Sequence, residues 1–200
     1  MSENGPCTPT EDGLSTTLNE YSWNANANMM WIDQPSGVGY SYGDATDYVN
    51  DEAGVSEDLY WFLQAFFEDH PEYLENAFFV FGESYGGHYV PAISYRIWEG
   101  NNNKEGLEIN LSGVGIGNGM TTPTIQYEWY PSMANNNTYG IKAVSEDVYA
   151  KMVDRLPTCT KLAEGCQDDT DLCSPAYNYC NIAETTPYYN TGLNPYDIRK

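Results

Sequence analysis

The amino-acid sequence predicts an α/β fold with a parallel sheet. Two apolar runs, residues 78–81 and 109–117, read as strands, and a helical pattern lies between them. A second helical pattern precedes the first run, with apolar residues on one face: Leu59, Phe62, Leu63, Phe66 and Phe67. Alternating helices and strands of this kind indicate parallel strands joined by right-handed crossovers.

Composition narrows the possible partners. The 200 residues carry a net charge of −21, so the basic face that nucleic-acid binding requires is not expected. No apolar run approaches the roughly 20 residues of a membrane-spanning helix. No secretory apolar region follows Met1 either, which predicts a cytosolic protein or a sequence without its true N-terminus.

The amino-terminal part contains few regular patterns. Residues 1–20 are polar and rich in turn formers, which predicts a flexible terminus. A short strand is expected over residues 27–32, followed by a glycine-rich loop. The glycines do not match a dinucleotide-binding fingerprint, because Tyr42 takes the third glycine position, and Asn118 does so in a later run.

The first helix is expected to begin at Ser56, a suitable N-cap before Glu57 and Asp58 in the first turn. His70-Pro71 ends it, since the residue before proline disfavours the helical conformation. His70 is therefore interpreted as a helix-end residue and not as a catalyst.

The run over residues 78–81 leads into Gly-x-Ser-x-Gly, from Gly82 to Gly86. A continuous apolar run predicts a strand buried on both faces. Residues at helical spacing follow, with Pro91 in the first turns of the helix. Strand, Gly-x-Ser-x-Gly and helix together predict a nucleophile elbow with Ser84 at its tip and the Tyr85 N–H in an oxyanion site.

The pattern changes beyond residue 120. Aromatic residues follow without clear periodicity, one helix is expected from Ser145 to Leu156, and a tail rich in Cys, Asp and Pro comes last. We therefore predict two regions: residues 1–120, a core that carries the elbow, and residues 121–200, the beginning of an inserted region.

Four cysteines in the tail are spaced every seven residues: Cys159, Cys166, Cys173 and Cys180. A shared helix face is disfavoured by the glycine, acidic pair and proline between them, and the spacing does not suit structural zinc. A loop-rich disulfide framework with three possible connectivities is expected, which implies an oxidising compartment. Cys7 has no predicted partner.

Several stretches resemble one family in the same order. They are Glu3-Asn4-Gly5-Pro6, residues 22–24 with 31–42, residues 82–91 around Ser84, residues 116–121, and residues 173–199. Together they resemble the serine carboxypeptidases, and the carboxypeptidase Y branch in particular. The resemblance implies an α/β-hydrolase fold that is incomplete here, with the beginning of an inserted cap domain.

The resemblance also implies a reaction and its residues. Ser84 would attack the last peptide bond of a peptide or protein and form an acyl-enzyme, without cofactor or metal. Glu83 and Glu3 would share hydrogen bonds with the free C-terminal carboxylate, which requires protonated carboxyl groups and therefore acidic pH. Met120 and Tyr130, with Tyr85, would line the pocket for the side chain before the scissile bond.

Covalent features follow from the same resemblance. It implies the nested pairing Cys159–Cys180 and Cys166–Cys173, and a vacuolar, lysosomal or secreted protein. Sequons occur at Asn110 and Asn136, and the resemblance favours Asn110.

A serine nucleophile needs a histidine base held by an acid. His88 lies on the predicted helix after the elbow, and His70 precedes Ser84, whereas the α/β-hydrolase order places the histidine far downstream. The chain alone is thus expected to lack the triad Asp and His and to be inactive. The alternatives are a non-catalytic relic or binding protein, and a carboxypeptidase-like acyltransferase.

Overall fold

The computed structural model describes residues 3–200. Its central elements are β3 (Phe78–Glu83), α2 (Gly86–Asn103) and β4 (Leu111–Gly117), and β3 pairs with β4. The Phe78 N–H donates to the Asn110 carbonyl and the Ser84 N–H to the Gly117 carbonyl. Donor and acceptor numbers rise together, so the two strands are parallel, as the sequence predicts.

The chain divides into two compact units. The first contains the residues up to Val80 together with Pro91–Val114, and the second contains Phe81–Val90 and Gly115–Lys200. The predicted division at residue 120 into a core and a cap stays a prediction.

The first unit begins with a hairpin where the sequence predicts a flexible terminus. Strands β1 (Cys7–Pro9) and β2 (Thr16–Leu18) pair antiparallel, with Cys7 opposite Leu18. The turn between them is held by Asp12, which accepts from the Leu14 N–H and the Thr10 hydroxyl. The strand predicted over residues 27–32 was wrong, since these residues take no regular secondary structure.

Helix α1 (Glu52–Asp69) begins four residues before the predicted N-cap. Asp51 is the N-cap, and its carboxylate accepts from the Gly54 N–H at 2.7 Å. Ser56 is instead buried inside the helix, where its hydroxyl donates to the Ala53 carbonyl. His70 caps the other end and lies against Phe66, which confirms its assignment as a helix-end residue.

The core of the first unit lies between α1 and the segment from α2 to β4. Two side-chain amides hold the connection before β4: Gln64 bonds to both backbone groups of Leu107, and Asn101 to both of Ile109. The buried apolar side chains of this core are Val55, Leu59, Tyr60, Leu63, Phe67, Ile93, Ile97 and Ile109.

Strand β3 is not buried on both faces. Its side chains alternate between half-buried and exposed, and Phe79 and Phe81 are 51% and 55% exposed. A continuous apolar run cannot reveal this difference, because it records hydrophobicity and not which face is covered by neighbouring elements.

The second unit is mainly helical beyond β4. Its helices are α3 (Pro123–Gln126), α4 (Tyr130–Asn135), α5 (Glu146–Asp168), α6 (Cys173–Cys180) and α7 (Thr186–Tyr189), with a π-helical turn over Asn181–Thr185. The helix predicted from Ser145 is present as α5, and Ser145 is its N-cap, with the side-chain oxygen accepting from the Val148 N–H.

Helix α5 continues twelve residues beyond the predicted end at Leu156 and passes through Pro157. The prediction of a loop-rich cysteine segment was therefore wrong: Cys159 and Cys166 lie on α5, and Cys173 and Cys180 on α6. The bridges Cys159–Cys180 and Cys166–Cys173 join these helices in the nested pairing. Packing and cross-links hold a helix that local propensity alone disfavours.

None of the helices in residues 3–200 combines the length and the apolar character needed to cross a lipid bilayer.

Candidate active site

Ser84 stands at the tight turn between β3 and α2. It is not a glycine, yet its φ is +55°, a left-handed conformation that L side chains rarely adopt. Its N–H donates to the Gly117 carbonyl at 3.0 Å, and its carbonyl accepts from the Gly87 N–H at 3.0 Å and the Met120 N–H at 2.9 Å. Strand, strained serine and helix form the geometry of a nucleophile elbow.

Two glycines make room for this turn. A Cβ on Gly82 would lie 2.8 Å from a methyl group of Val90, and one on Gly87 would lie 2.7 Å from the backbone of Met120. The Gly-x-Ser-x-Gly motif has its glycines at positions 82 and 86. A Cβ on Gly86 would meet nothing within 4 Å, so close packing accounts for Gly82 and Gly87 only.

The loop after β4 supports the elbow from the other side. Asn118 also has positive φ, +45°, so the chain turns sharply and brings the Met120 N–H to the Ser84 carbonyl. Gln126 holds this loop: its Oε1 accepts from the N–H groups of Thr121 and Thr122, and its Nε2 donates to the Gly119 carbonyl. Sequence reasoning missed Gln126, because the sequence around it contains no pattern that distinguishes it from the neighbouring polar residues.

Tyr85 follows the serine and leads into α2. Its carbonyl accepts from the His88 N–H at 2.9 Å, and its ring lies 4.8 Å from the His88 ring, measured between centroids. The first N–H groups of a helix have no carbonyl partner within that helix, which makes this end suited to a negative oxygen. His88 is part of α2 and packs on Tyr85, in keeping with a structural role.

The predicted pocket residues lie in the second unit and are half-exposed. Met120 is linked to Ser84 through the backbone, and Tyr130 begins α4 with its ring 5.4 Å from that of Tyr127. Burial raises the pKa of both tyrosines above the ordinary value, with a smaller contribution from neighbouring tyrosines. Tyr127 therefore packs against one of the predicted residues.

The two predicted carboxylate binders lie in different units. Glu83 ends β3 in the second unit, next to Ser84, whereas Glu3 belongs to the first and is exposed. Asn4, the neighbour of Glu3, is fixed at three points. Its carbonyl accepts from the Ser22 hydroxyl and the Trp23 N–H, and its Oδ1 accepts from the Trp31 Nε1–H.

The second unit also contains an open groove of about 490 Å³ that includes none of the predicted site residues. It is lined by Glu128, Trp129, Ser132, Leu156, Pro157 and Thr160. Among residues 3–200, no three His, Cys, Asp or Glu side chains are grouped as metal ligands would be.

Comparison with known proteins agrees with this geometry. A model of the serine carboxypeptidase family matches residues 1–200. Serine carboxypeptidase-like 47 of Arabidopsis thaliana is 43% identical over 201 residues, covering 99% of this chain and 39% of that protein. Carboxypeptidase Y homolog A of Ajellomyces dermatitidis is 42% identical over 200 residues, covering 98% and 35%.

A solved structure shares the fold. The chain superposes on KEX1(Δ)p, a prohormone-processing carboxypeptidase from Saccharomyces cerevisiae, with a TM-score of 0.75 and 26% identity, covering 92% of this chain and 41% of that one. The chain therefore spans about two-fifths of the length of these relatives. On its sequence, its strained serine turn and its α/β-hydrolase fold, the chain belongs to the serine carboxypeptidase family.

Proposed function

We propose that the full gene product is a serine-type carboxypeptidase that removes C-terminal residues through an acyl-enzyme at acidic pH. The observation that carries this proposal is the turn at Ser84, with its φ of +55° and its three backbone hydrogen bonds. Strained backbone of this kind is concentrated at functional sites, because the surrounding structure must hold it in place.

In the proposed reaction, the Ser84 Oγ attacks the carbonyl carbon of the last peptide bond. The Tyr85 N–H stabilises the oxyanion, the C–N bond breaks, and the released amino acid takes a proton. Water then attacks the ester carbonyl, which frees the shortened peptide and restores the serine. Met120 and Tyr130, with Tyr85, form the apolar wall for the side chain before the scissile bond.

Glu83 and Glu3 give the preference for a free C-terminus in this proposal. A carboxyl group can donate a hydrogen bond to the substrate carboxylate only while it is protonated. Binding therefore weakens as pH rises and these groups ionise. We place the general base outside residues 1–200, since His88 packs on Tyr85 and the relatives are more than twice as long as this chain.

The two disulfides support passage through an oxidising compartment, and we propose a vacuolar, lysosomal or secreted protein. N-glycosylation is proposed at Asn110 and Asn136, both exposed. At the second sequon, the amides of Asn135 and Asn137 bond to the backbone of residues 133–144, whereas the exposed Asn136 lies between them.

The test compares wild type, Ser84→Ala and Ser174→Ala in the full-length protein, purified after the mass of the native polypeptide has been measured. Ser174 is an exposed serine on α6 and serves as the matched control. We expect release of C-terminal amino acids to fall by roughly 10³-fold or more in Ser84→Ala and to be unchanged in Ser174→Ala. Activity of Ser84→Ala within tenfold of wild type would contradict the proposal.

A second arm concerns the free C-terminus. The same peptide with an amidated C-terminus lacks the carboxylate, so its KM should be higher, and the difference should shrink as pH rises.

A native mass near 22.4 kDa, with no peptidase activity, would favour a non-catalytic protein. Transfer of the acyl group to an alcohol in preference to water would favour an acyltransferase.

A further inference from the structure

The Ser84 carbonyl links the elbow to the loop after β4. It accepts from the Gly87 N–H at the start of α2 and from the Met120 N–H in the loop. A positive φ at a non-glycine residue costs conformational energy, so its neighbours must hold it. The position of Met120 therefore bears directly on the position of Ser84.

Met120 is in turn held through its neighbours by one side chain. Gln126 Oε1 lies 2.9 Å from the Thr121 N and 3.1 Å from the Thr122 N, and Gln126 Nε2 lies 2.8 Å from the Gly119 O. The residues on either side of Met120 are thus fixed by a single primary amide. Gln126 is itself partly buried at the end of α3, where its N–H donates to the Thr122 carbonyl.

We propose that Gln126 is a positioning residue for the nucleophile, which acts through the loop 119–122 and the Met120–Ser84 hydrogen bond. This inference rests on the proposed function of Ser84. Gln126 needs no contact with substrate in this role. Its loss lets the loop shift, and small shifts of a nucleophile slow the chemical step more than they weaken substrate binding.

The chemistry of the amide explains the choice of residue. One oxygen accepts two backbone N–H groups while the nitrogen donates to a carbonyl, so the side chain must be acceptor and donor at once. Methionine has a similar size but can make none of these hydrogen bonds. Glutamate keeps the acceptor at every pH and regains a donor only when its carboxyl group is protonated.

This difference gives a readout that a general loss of stability would not produce. Gln126→Met should slow acylation of Ser84 about tenfold, with KM within about twofold of wild type. Gln126→Glu should be similarly slow at pH 6. Relative to wild type, its acylation rate should rise as pH falls through the ordinary glutamate pKa of about 4.3, whereas the Gln126→Met ratio should stay flat.

The experiment uses the full-length protein and measures the rate at which a fluorophosphonate labels Ser84, with labelled peptide identified by mass spectrometry. Ser84→Ala gives the background. Gln167→Met is the control, because Gln167 is an exposed glutamine whose amide bonds within α5, to the Ala163 carbonyl. It should label at the wild-type rate, and melting temperatures report folding.

The outcomes separate the two proposals. If wild type is not labelled at Ser84, the proposed function fails. If wild type is labelled and Gln126→Met labels equally fast, Gln126 has no positioning role. Should Gln126→Met fail to fold, the pH profile of Gln126→Glu decides, and a flat ratio to wild type overturns the inference.

Discussion

Two buried ionisable side chains, one in each unit, have opposite surroundings. Arg96 on α2 is 10% exposed and lies against two carboxylates and an aromatic ring. Its Nε lies 2.6 Å from a Glu57 carboxylate oxygen, its Nη1 lies 3.0 Å from one of Glu105, and its guanidinium carbon lies 3.9 Å from the centroid of the Tyr60 ring. The cation is removed from water but surrounded by negative charge and an aromatic face.

Glu184 in the π-helical turn is 0% exposed, and neither carboxylate oxygen has a hydrogen-bond partner among the described residues. It follows the disulfide residue Cys180 and lies in the part of the chain that packs against α4, α5, α6 and α7. The charged group that acts on it from these helices is Arg155, an exposed residue on α5.

The difference shows how burial and pairing set protonation. Hydrogen bonds from Arg96, and then from Trp61, lower the pKa of Glu57. Burial raises the pKa of Glu184 from 4.5 to about 7, partly opposed by Arg155. Glu57 therefore stabilises the folded state when it is charged, whereas Glu184 does so when it is neutral. The two units should lose stability at opposite ends of the pH range.

The largest effect is expected at Glu184. Unfolded, this group ionises near pH 4.5, and folded it keeps its proton until about pH 7. Its contribution to stability is fully present below pH 4.5 and is lost as pH rises through 7. The free energy of unfolding should fall by about 3 kcal/mol over this window, as measured by urea unfolding at pH 4.5, 6 and 8.

Glu184→Gln removes the titrating group, so the free energy of unfolding should change less between pH 4.5 and 8. The high net charge also destabilises the fold as pH rises, so a matched charge change is needed. Glu164→Gln on α5, an exposed site, provides it and should keep the wild-type slope. Equal slopes for Glu184→Gln and Glu164→Gln would show that Glu184 is charged and accommodated at every pH.

Such buried charges were not predictable, whereas the strand–turn–helix unit around Ser84 was. Around Ser84, the glycines, the apolar strand and the helical spacing are all local, and each indicates the same strand–turn–helix unit. Arg96 and Glu184 depend on which elements lie beside them. Nothing in the periodicity around residue 184 distinguishes an exposed glutamate from a buried one. Glutamates are mostly exposed in folded proteins, so exposure is what the sequence predicts.

The errors elsewhere have the same origin. The sequence predicted that α5 ends at Leu156, and Gly165, the Asp168-Asp169 pair and Pro175 disfavoured a helix through the cysteines. Packing of Cys159 and Ala163 and two disulfides nevertheless extend α5 to Asp168. At the candidate site, one motif predicted the turn at Ser84, and the roles of Ser84 and Tyr85 stay proposals. Gln126 bonds to backbone groups of a loop whose conformation the sequence does not reveal.

A smaller effect is expected from removing the compensated cation. Arg96→Met keeps most of the apolar volume but deletes the ion pairs and the contact with Tyr60. We expect a loss of about 2 kcal/mol in the free energy of unfolding at pH 6, because Glu57 and Glu105 are partly exposed and can regain water. Urea unfolding measures this loss.

Arg96→Lys tests whether the planar set of guanidinium N–H donors is needed to bond the two carboxylates. A lysine keeps the charge but cannot bond both carboxylates in the plane of a guanidinium, so it should recover less than half of the loss. Full recovery by lysine would mean that charge alone matters at this site. Lys151→Met, on the exposed face of α5, controls for the removal of a cation and should change stability by less than about 0.5 kcal/mol.

The smallest effect is expected at Glu57, whose side chain is 50% exposed. Solvent screens its pair with Arg96, and Glu105 remains beside the guanidinium, so Glu57→Gln should cost under about 1 kcal/mol at pH 6. Because the folded pKa of Glu57 is lowered, its contribution is present above the unfolded pKa of 4.5 and is lost as pH falls. The variant should therefore lose less stability than wild type between pH 6 and 3, while its decline from pH 6 to 8 stays unchanged. A change in that upper window would show that the two carboxyl groups are coupled and that the units do not respond to pH independently.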